Sequence, residues 1–293
     1  MFDKLILDSI TGLESLAEML RAAYSFEEWD AMINIADKLY SSVKDLYEEN
    51  QVRQAKGQPK IGTDLKRNVA YYFGFSMMSK GIALQKMGRY AESRKCIEKY
   101  SELGWIKGLN KEGQKEVIYY KMLAKANTYV LDLLDGNTSV LAEYVEFIRN
   151  SEEKELLPSI ITILQSALTY NYNVDWVLDE FREKLDALDR EYYDTNVSIR
   201  YYIDHLYLIA LYYFKTGDIV NAINITIKAL GTSDKLRDDS GFKKLNALFV
   251  SFKQRATREQ TEEYDALNKN ILERVLQNEK GVLYDGSSIV SAR

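Results

Sequence analysis

The chain has 293 residues, 46% of them hydrophobic, with only 2 Pro and 15 Gly; so few breakers point to long helices joined by short loops and exclude general disorder. A formal net charge of −5 excludes a global basic field that would draw the chain to nucleic acid, while leaving room for a local basic patch. A single Cys and a single His exclude an intrachain disulfide and a zinc site of ordinary composition.

Apolar residues recur at about 3.6-residue spacing almost throughout, and no strand-like alternation persists. No apolar run approaches ~18 residues and no signal peptide is read, so the expectation is a soluble, cytoplasmic protein without membrane contact. The first predicted helix covers 4–23. The second, 26–55, is amphipathic and acid-rich, with Trp29, Ile33, Ala36 and Tyr40 on one face. A DNA-reading helix would carry a basic, Gln/Ser/Arg-rich face, so no helix-turn-helix is read in residues 1–60. The segment "AKGQPKIGTD" then breaks the pattern with Gly57, Pro59 and Gly62, and Thr63 or Asp64 is placed to cap the next helix.

Further helices are predicted at 63–86, 89–103, 112–134, 138–149, 155–169, 174–188, 196–215, 218–231, 240–255 and 258–279. The tail "GVLYDGSSIVSAR" has no helical period. This gives an N-terminal helical hairpin over 1–56, a linker over 57–63, a helical repeat domain over 64–280 and a flexible tail over 281–293.

The repeat is visible in two stretches. "KMGRYAESRKCIEKYSEL" aligns with "KTGDIVNAINITIKALGT": Lys-x-Gly recurs, with an apolar residue two positions after the Gly (Tyr90, Ile219) and a small one five after it (Ser93, Ala222). Gly136 and a glycine-free turn near Asn173 fall between them, which makes a sustained array with a period of about 43 residues. A Gly ending the first helix of each hairpin permits the left-handed turn, and small residues in the second helix let the pair lie close.

The run Gly81–Leu103 resembles a tetratricopeptide unit, and Leu206–Leu230 resembles another. Gly81, Gly88 and Tyr90 stand at that family's Gly, Gly and Tyr positions; Ala210, Tyr213, Gly217, Ala222 and Ala229 match similarly. Ser93, Tyr100 and Thr226 depart from the pattern, and the period exceeds the family's ~34 residues. The wider block from Tyr71 to Asn137 is similar to the repeat region of Firmicute, Bacillus-type regulators that bind short signalling peptides. The resemblance implies an all-α, right-handed superhelical solenoid of tetratricopeptide-like hairpins, with the first helix of each hairpin lining a concave groove. The groove candidates are Asn68, Tyr71, Tyr72, Phe75, Gln85, Tyr120, Asn127, Arg200, Tyr201, Asp204 and Tyr207. Asn can clamp an extended backbone as donor and acceptor, and Arg67 or Arg200 can pair a ligand carboxylate.

The expected function is a quorum-sensing type of regulator holding a short peptide or partner segment, with no catalysis, cofactor or metal. A homodimer is compatible, and direct nucleic-acid contact is not expected. Two alternatives stay open: a constitutive protein–protein scaffold, and a transcriptional regulator whose DNA-binding part escapes recognition or comes from another chain. No P-loop, H-E-x-x-H, G-x-S-x-G or G-x-G-x-x-G pattern occurs. The carboxylate pairs Glu152/Glu153 and Asp238/Asp239 stand beside turns. His205 reads either as a general base or pH switch, or as a hydrogen-bonded helix residue. Cys96 reads as a small packing residue.

Overall fold

A computed structural model describes residues 12–188 and 195–278, and no strand occurs among them. The chain divides into two compact units, Met1–Asn150 and Ser151–Arg293. Unit 1 holds α1 (Leu13–Ser25), α2 (Trp29–Ala55), α3 (Val69–Lys86), α4 (Tyr90–Ser101), α5 (Lys111–Leu134) and α6 (Leu141–Arg149). Unit 2 holds α7 (Leu156–Tyr170), α8 (Asp175–Ala187), α9 (Asn196–Thr216), α10 (Ile219–Lys235), α11 (Asp239–Phe252) and α12 (Arg258–Asn278). The twelve α-helices of the described residues follow the twelve periodic segments of the sequence. The predicted start of the first helix at residue 4 and the tail 281–293 lie outside the described residues.

Within unit 1 each helix packs on the next, and α3 also packs on both α1 and α5. The first helices of successive hairpins therefore lie side by side. Their shared core includes Leu16, Leu20, Ile35, Leu39, Phe73, Tyr100, Tyr120 and Leu131. In unit 2, α9 packs on α7, α10 and α11, and α12 lies on α10. Gln260 anchors α12 there, donating to the Val220 carbonyl at 3.0 Å and to Asn224 at 2.6 Å.

One turn geometry recurs between consecutive helices. Gly88, Gly136 and Gly217 take left-handed backbone, with φ of 73°, 96° and 93°. In each turn the following amide reaches back five residues: Arg89 to the Leu84 carbonyl at 2.8 Å, Asn137 to Asp132 at 2.8 Å and Asp218 to Tyr213 at 3.0 Å. These bonds satisfy carbonyls that the helix end would otherwise leave open. The same bond recurs at Glu27/Glu28 and Arg237/Asp238, where non-glycine residues are held at φ 58°. The turn expected near Asn173 takes its left-handed residue two positions earlier, at Asn171 (φ 59°).

These turns make a paired prediction. Gly88 has open space where a Cβ would stand, so Gly88→Ala meets only the left-handed backbone penalty and should lose about 1 kcal/mol. Arg237→Gly relieves that penalty and should gain up to about 1 kcal/mol. Thermal melts of both variants check this; two shifts of the same sign would refute it.

The linker is more ordered than its composition suggests. Asn50 of α2 donates to the Ile61 carbonyl at 3.0 Å and accepts from the Ile61 amide at 2.8 Å, and Arg53 donates to the Pro59 carbonyl at 2.8 Å. Held there, the chain does not begin α3 at Thr63 or Asp64. Asn68 caps it instead, accepting from the Ala70 amide at 3.1 Å.

Candidate functional site

On α3 and the residue pair before it, i,i+4 spacing lines up Arg67, Tyr71 and Phe75 along one side. The Tyr71 and Phe75 rings stack with centroids 5.3 Å apart and planes 14° from parallel. The Arg67 guanidinium lies 4.6 Å from the Tyr71 centroid and pairs with Glu116 of α5. From α1, Arg21 donates to the Tyr71 hydroxyl at 2.6 Å, sits 5.3 Å from the Phe75 centroid and pairs with Glu18 at 2.7 Å. Three helices thus build a cluster of two stacked rings and two cations. Both cations retain substantial exposure, 48% for the Arg21 side chain and 53% for Arg67.

The electrostatics suit an anionic or aromatic group. A guanidinium has five N–H donors, and the contacts named above occupy only part of each set. The hydrogen bond from Arg67 to Glu116 holds that guanidinium above its usual range. Burial pushes the Tyr71 phenol up against the pull of Arg21 and Arg67, so it remains a neutral hydroxyl at physiological pH. Beyond Phe75 the half-buried Met78, Ile82 and Gln85 continue along α3.

The other predicted residues in unit 1 fall into different surroundings. Tyr72 is fully buried; its hydroxyl donates to Glu14, which also accepts from the Lys66 amide at 2.8 Å. Tyr120 is buried too, and its hydroxyl donates to the Tyr71 carbonyl at 3.2 Å. Asn127 donates to the Tyr100 hydroxyl at 2.8 Å, so its amide turns toward α4. Asn68, besides its capping bond, donates to Asn110 at 3.2 Å.

In unit 2, Arg200, Tyr201, Asp204 and Tyr207 all lie half-buried on α9. Lys244 of α11 joins two of them, donating to Asp204 at 2.7 Å and standing 5.7 Å from the Tyr207 ring centroid. Sequence reasoning missed Arg21, Glu116 and Lys244. Each occupies an ordinary polar position of an amphipathic helix, and only the packing of neighbouring helices gives it a role.

His205 is 5% exposed, and its Nδ1 has no hydrogen-bond partner among the described residues. Burial pulls its pKa down to about 4, so the ring is neutral at physiological pH. Cys96 is buried between α3 and α4, and burial pushes its thiol up, away from the reactive thiolate. Among the described residues no group of three His, Cys, Asp or Glu is placed to hold a metal ion, and no helix is long and apolar enough to cross a membrane. Comparisons with protein-family models, with curated proteins and with solved structures found no match.

Proposed function

We propose that this protein is a regulatory sensor built from tetratricopeptide-like hairpins in a right-handed superhelical array. It binds a short peptide or partner segment on the α1, α3 and α5 face of unit 1. The observation that carries the reading is the cluster of Arg67, Tyr71, Phe75 and Arg21, which offers two exposed cations and the half-buried Phe75 ring, stacked on the buried Tyr71, at one place. The recurring left-handed turn supports the array, because it repeats one hairpin geometry along the chain.

One ion pair and one hydrogen bond suggest how binding is transmitted. Arg67–Glu116 couples α3 to α5, and Arg21–Tyr71 couples α1 to α3. A ligand carboxylate that takes either guanidinium competes with one of these couplings. The ligand then favours the helix arrangement in which that coupling is loosened, and its differential affinity sets the population shift.

The test is native mass spectrometry of protein purified from its source, followed by calorimetry with the eluted peptide. A retained peptide is expected, and Phe75→Ala should weaken its binding by about tenfold, equivalent to ~1.4 kcal/mol. Trp176→Ala, which removes an exposed ring in unit 2, serves as a control. Finding no retained peptide, or a peptide whose affinity depends on Trp176 and not on Phe75, would reject this site.

A further inference from the structure

We propose that the lysine-bearing end of unit 1 docks an acidic segment of a partner protein, at a surface centred on Lys60 and Lys107. Two connecting segments form it. The α2–α3 connection carries Lys56, Lys60 and Lys66, and the α4–α5 connection leads through Lys107 to Lys111 at the start of α5. All five lysines are exposed, and none has an ion-pair partner among the described residues. Their segments hold one carboxylate each, Asp64 and Glu102. In a chain with net charge −5, such a concentration of unpaired cations is a local reversal of sign.

The two segments touch. The Lys60 ammonium lies 3.7 Å from where a Cβ on Gly108 would stand, and Asn68 meets Asn110 at 3.2 Å. Both are also fixed to the body of the unit: Ile61 is bonded to Asn50, and the Lys107 amide donates to the Tyr47 hydroxyl at 2.9 Å. The lysines are therefore presented on a rigid base. Beside them Trp105 is 47% exposed, its ring held edge-on by Tyr47 at 5.5 Å and Phe73 at 5.1 Å. This ring stands two residues before Lys107, on the segment that meets Lys60 at Gly108, and offers an apolar anchor to a ligand that the lysines attract.

Charge distribution selects the class of partner. The helices leading away from this end carry Asp45, Glu48 and Glu49 on α2, and Glu112 and Glu116 on α5, of which Glu48, Glu49, Glu112 and Glu116 pair with Lys44, Arg53, Lys115 and Arg67. Surface charges act over a Debye length of about 8 Å at physiological salt. A long polyanion such as duplex DNA extends beyond the lysines onto a chain whose net charge is −5. A short acidic segment with one apolar side chain matches the exposed lysines and the exposed Trp105 ring together.

The experiment is fluorescence anisotropy on the full chain, with a labelled oligoglutamate peptide containing one Leu. Duplex DNA and phosphatidylserine vesicles serve as competitors. The expected result is salt-sensitive peptide binding that falls at least about tenfold in Lys60→Glu/Lys107→Glu. Helicity and melting should not change in this variant, and Arg21→Gln, which removes an exposed cation of the surface proposed above, should bind oligoglutamate as the parent does, which separates the two surfaces. No peptide binding, or equal binding by the double variant, would overturn the proposal. So would DNA or vesicles displacing the peptide at lower concentration, or sedimentation that shows lysine-dependent self-association of the chain.

Discussion

Gly74→Ala is expected to destabilise unit 1 by about 3 kcal/mol, the upper part of the range for overpacked cores. Gly74 lies in the middle of α3 at its contact with α5, and an added methyl would overlap the ring of Tyr120. That ring is 1% exposed, so it has no open space to swing into. Its hydroxyl is also tied to the Tyr71 carbonyl on the same helix as the glycine. Alanine normally favours a helix interior by about 1 kcal/mol over glycine, so a large loss here isolates the steric effect.

A double-mutant cycle identifies the cause. Tyr120→Phe keeps the ring and should not rescue Gly74→Ala. Tyr120→Leu vacates the space and should recover a coupling energy of about 1–3 kcal/mol. The α3–α5 spacing set by this pair also positions Arg67 against Glu116, so the variant should perturb the candidate site as well as stability. Denaturant melts decide it: a Gly74→Ala midpoint within error of the parent would mean that the two helices adjust their separation freely.

What the sequence makes legible follows from how local each determinant is. Helix number is readable because apolar period and breaker scarcity act within each segment. Gly88, Gly136 and Gly217 are readable as turns because left-handed backbone favours glycine. The turns at Glu27 and Arg237 are not readable, since those residues are held left-handed by packing and by backbone bonds to the preceding helix. The start of α3 is misplaced for a similar reason: Thr63 and Asp64 look like caps, but Asn50 and Arg53 hold the chain at Ile61 and Pro59 outside the helix.

The candidate site divides along the same line. The row Arg67, Tyr71, Phe75 follows from i,i+4 spacing alone. Nothing local separates Tyr71, whose hydroxyl meets an exposed arginine, from Tyr72, whose hydroxyl is buried on Glu14. That distinction depends on where α1 lies, as do the roles of Arg21 and Glu116.

Lowering the pH should weaken unit 2 through His205, by about 3 kcal/mol in all. His205 sits on α9, which packs against α7, α10 and α11. Its neighbour in sequence, Asp204, is engaged by Lys244 and does not stabilise an imidazolium. Burial alone sets the folded-state pKa at about 4, below the ordinary histidine value of 6.5. Above about pH 6.5 the ring is neutral in both folded and unfolded chains, and it adds no pH dependence there. Between about 6.5 and 4 the unfolded chain takes up a proton that the folded one refuses, so stability falls with pH by up to about 1.4 kcal/mol per unit. Below about 4 both states bind the proton and the contribution levels off.

Carboxylates titrate near the bottom of this range, so the diagnostic quantity is the difference between the parent and His205→Gln. The variant loses stability at neutral pH through altered packing, but it should show a shallower decline from about pH 6.5 to about pH 5 in urea titrations. Because the chain has 1 His, hydrogen exchange should place the proton-linked loss in unit 2 and leave the amides of α3 and α5 protected. Parallel stability curves for the two proteins would mean that the His205 ring is reached by water in the folded state.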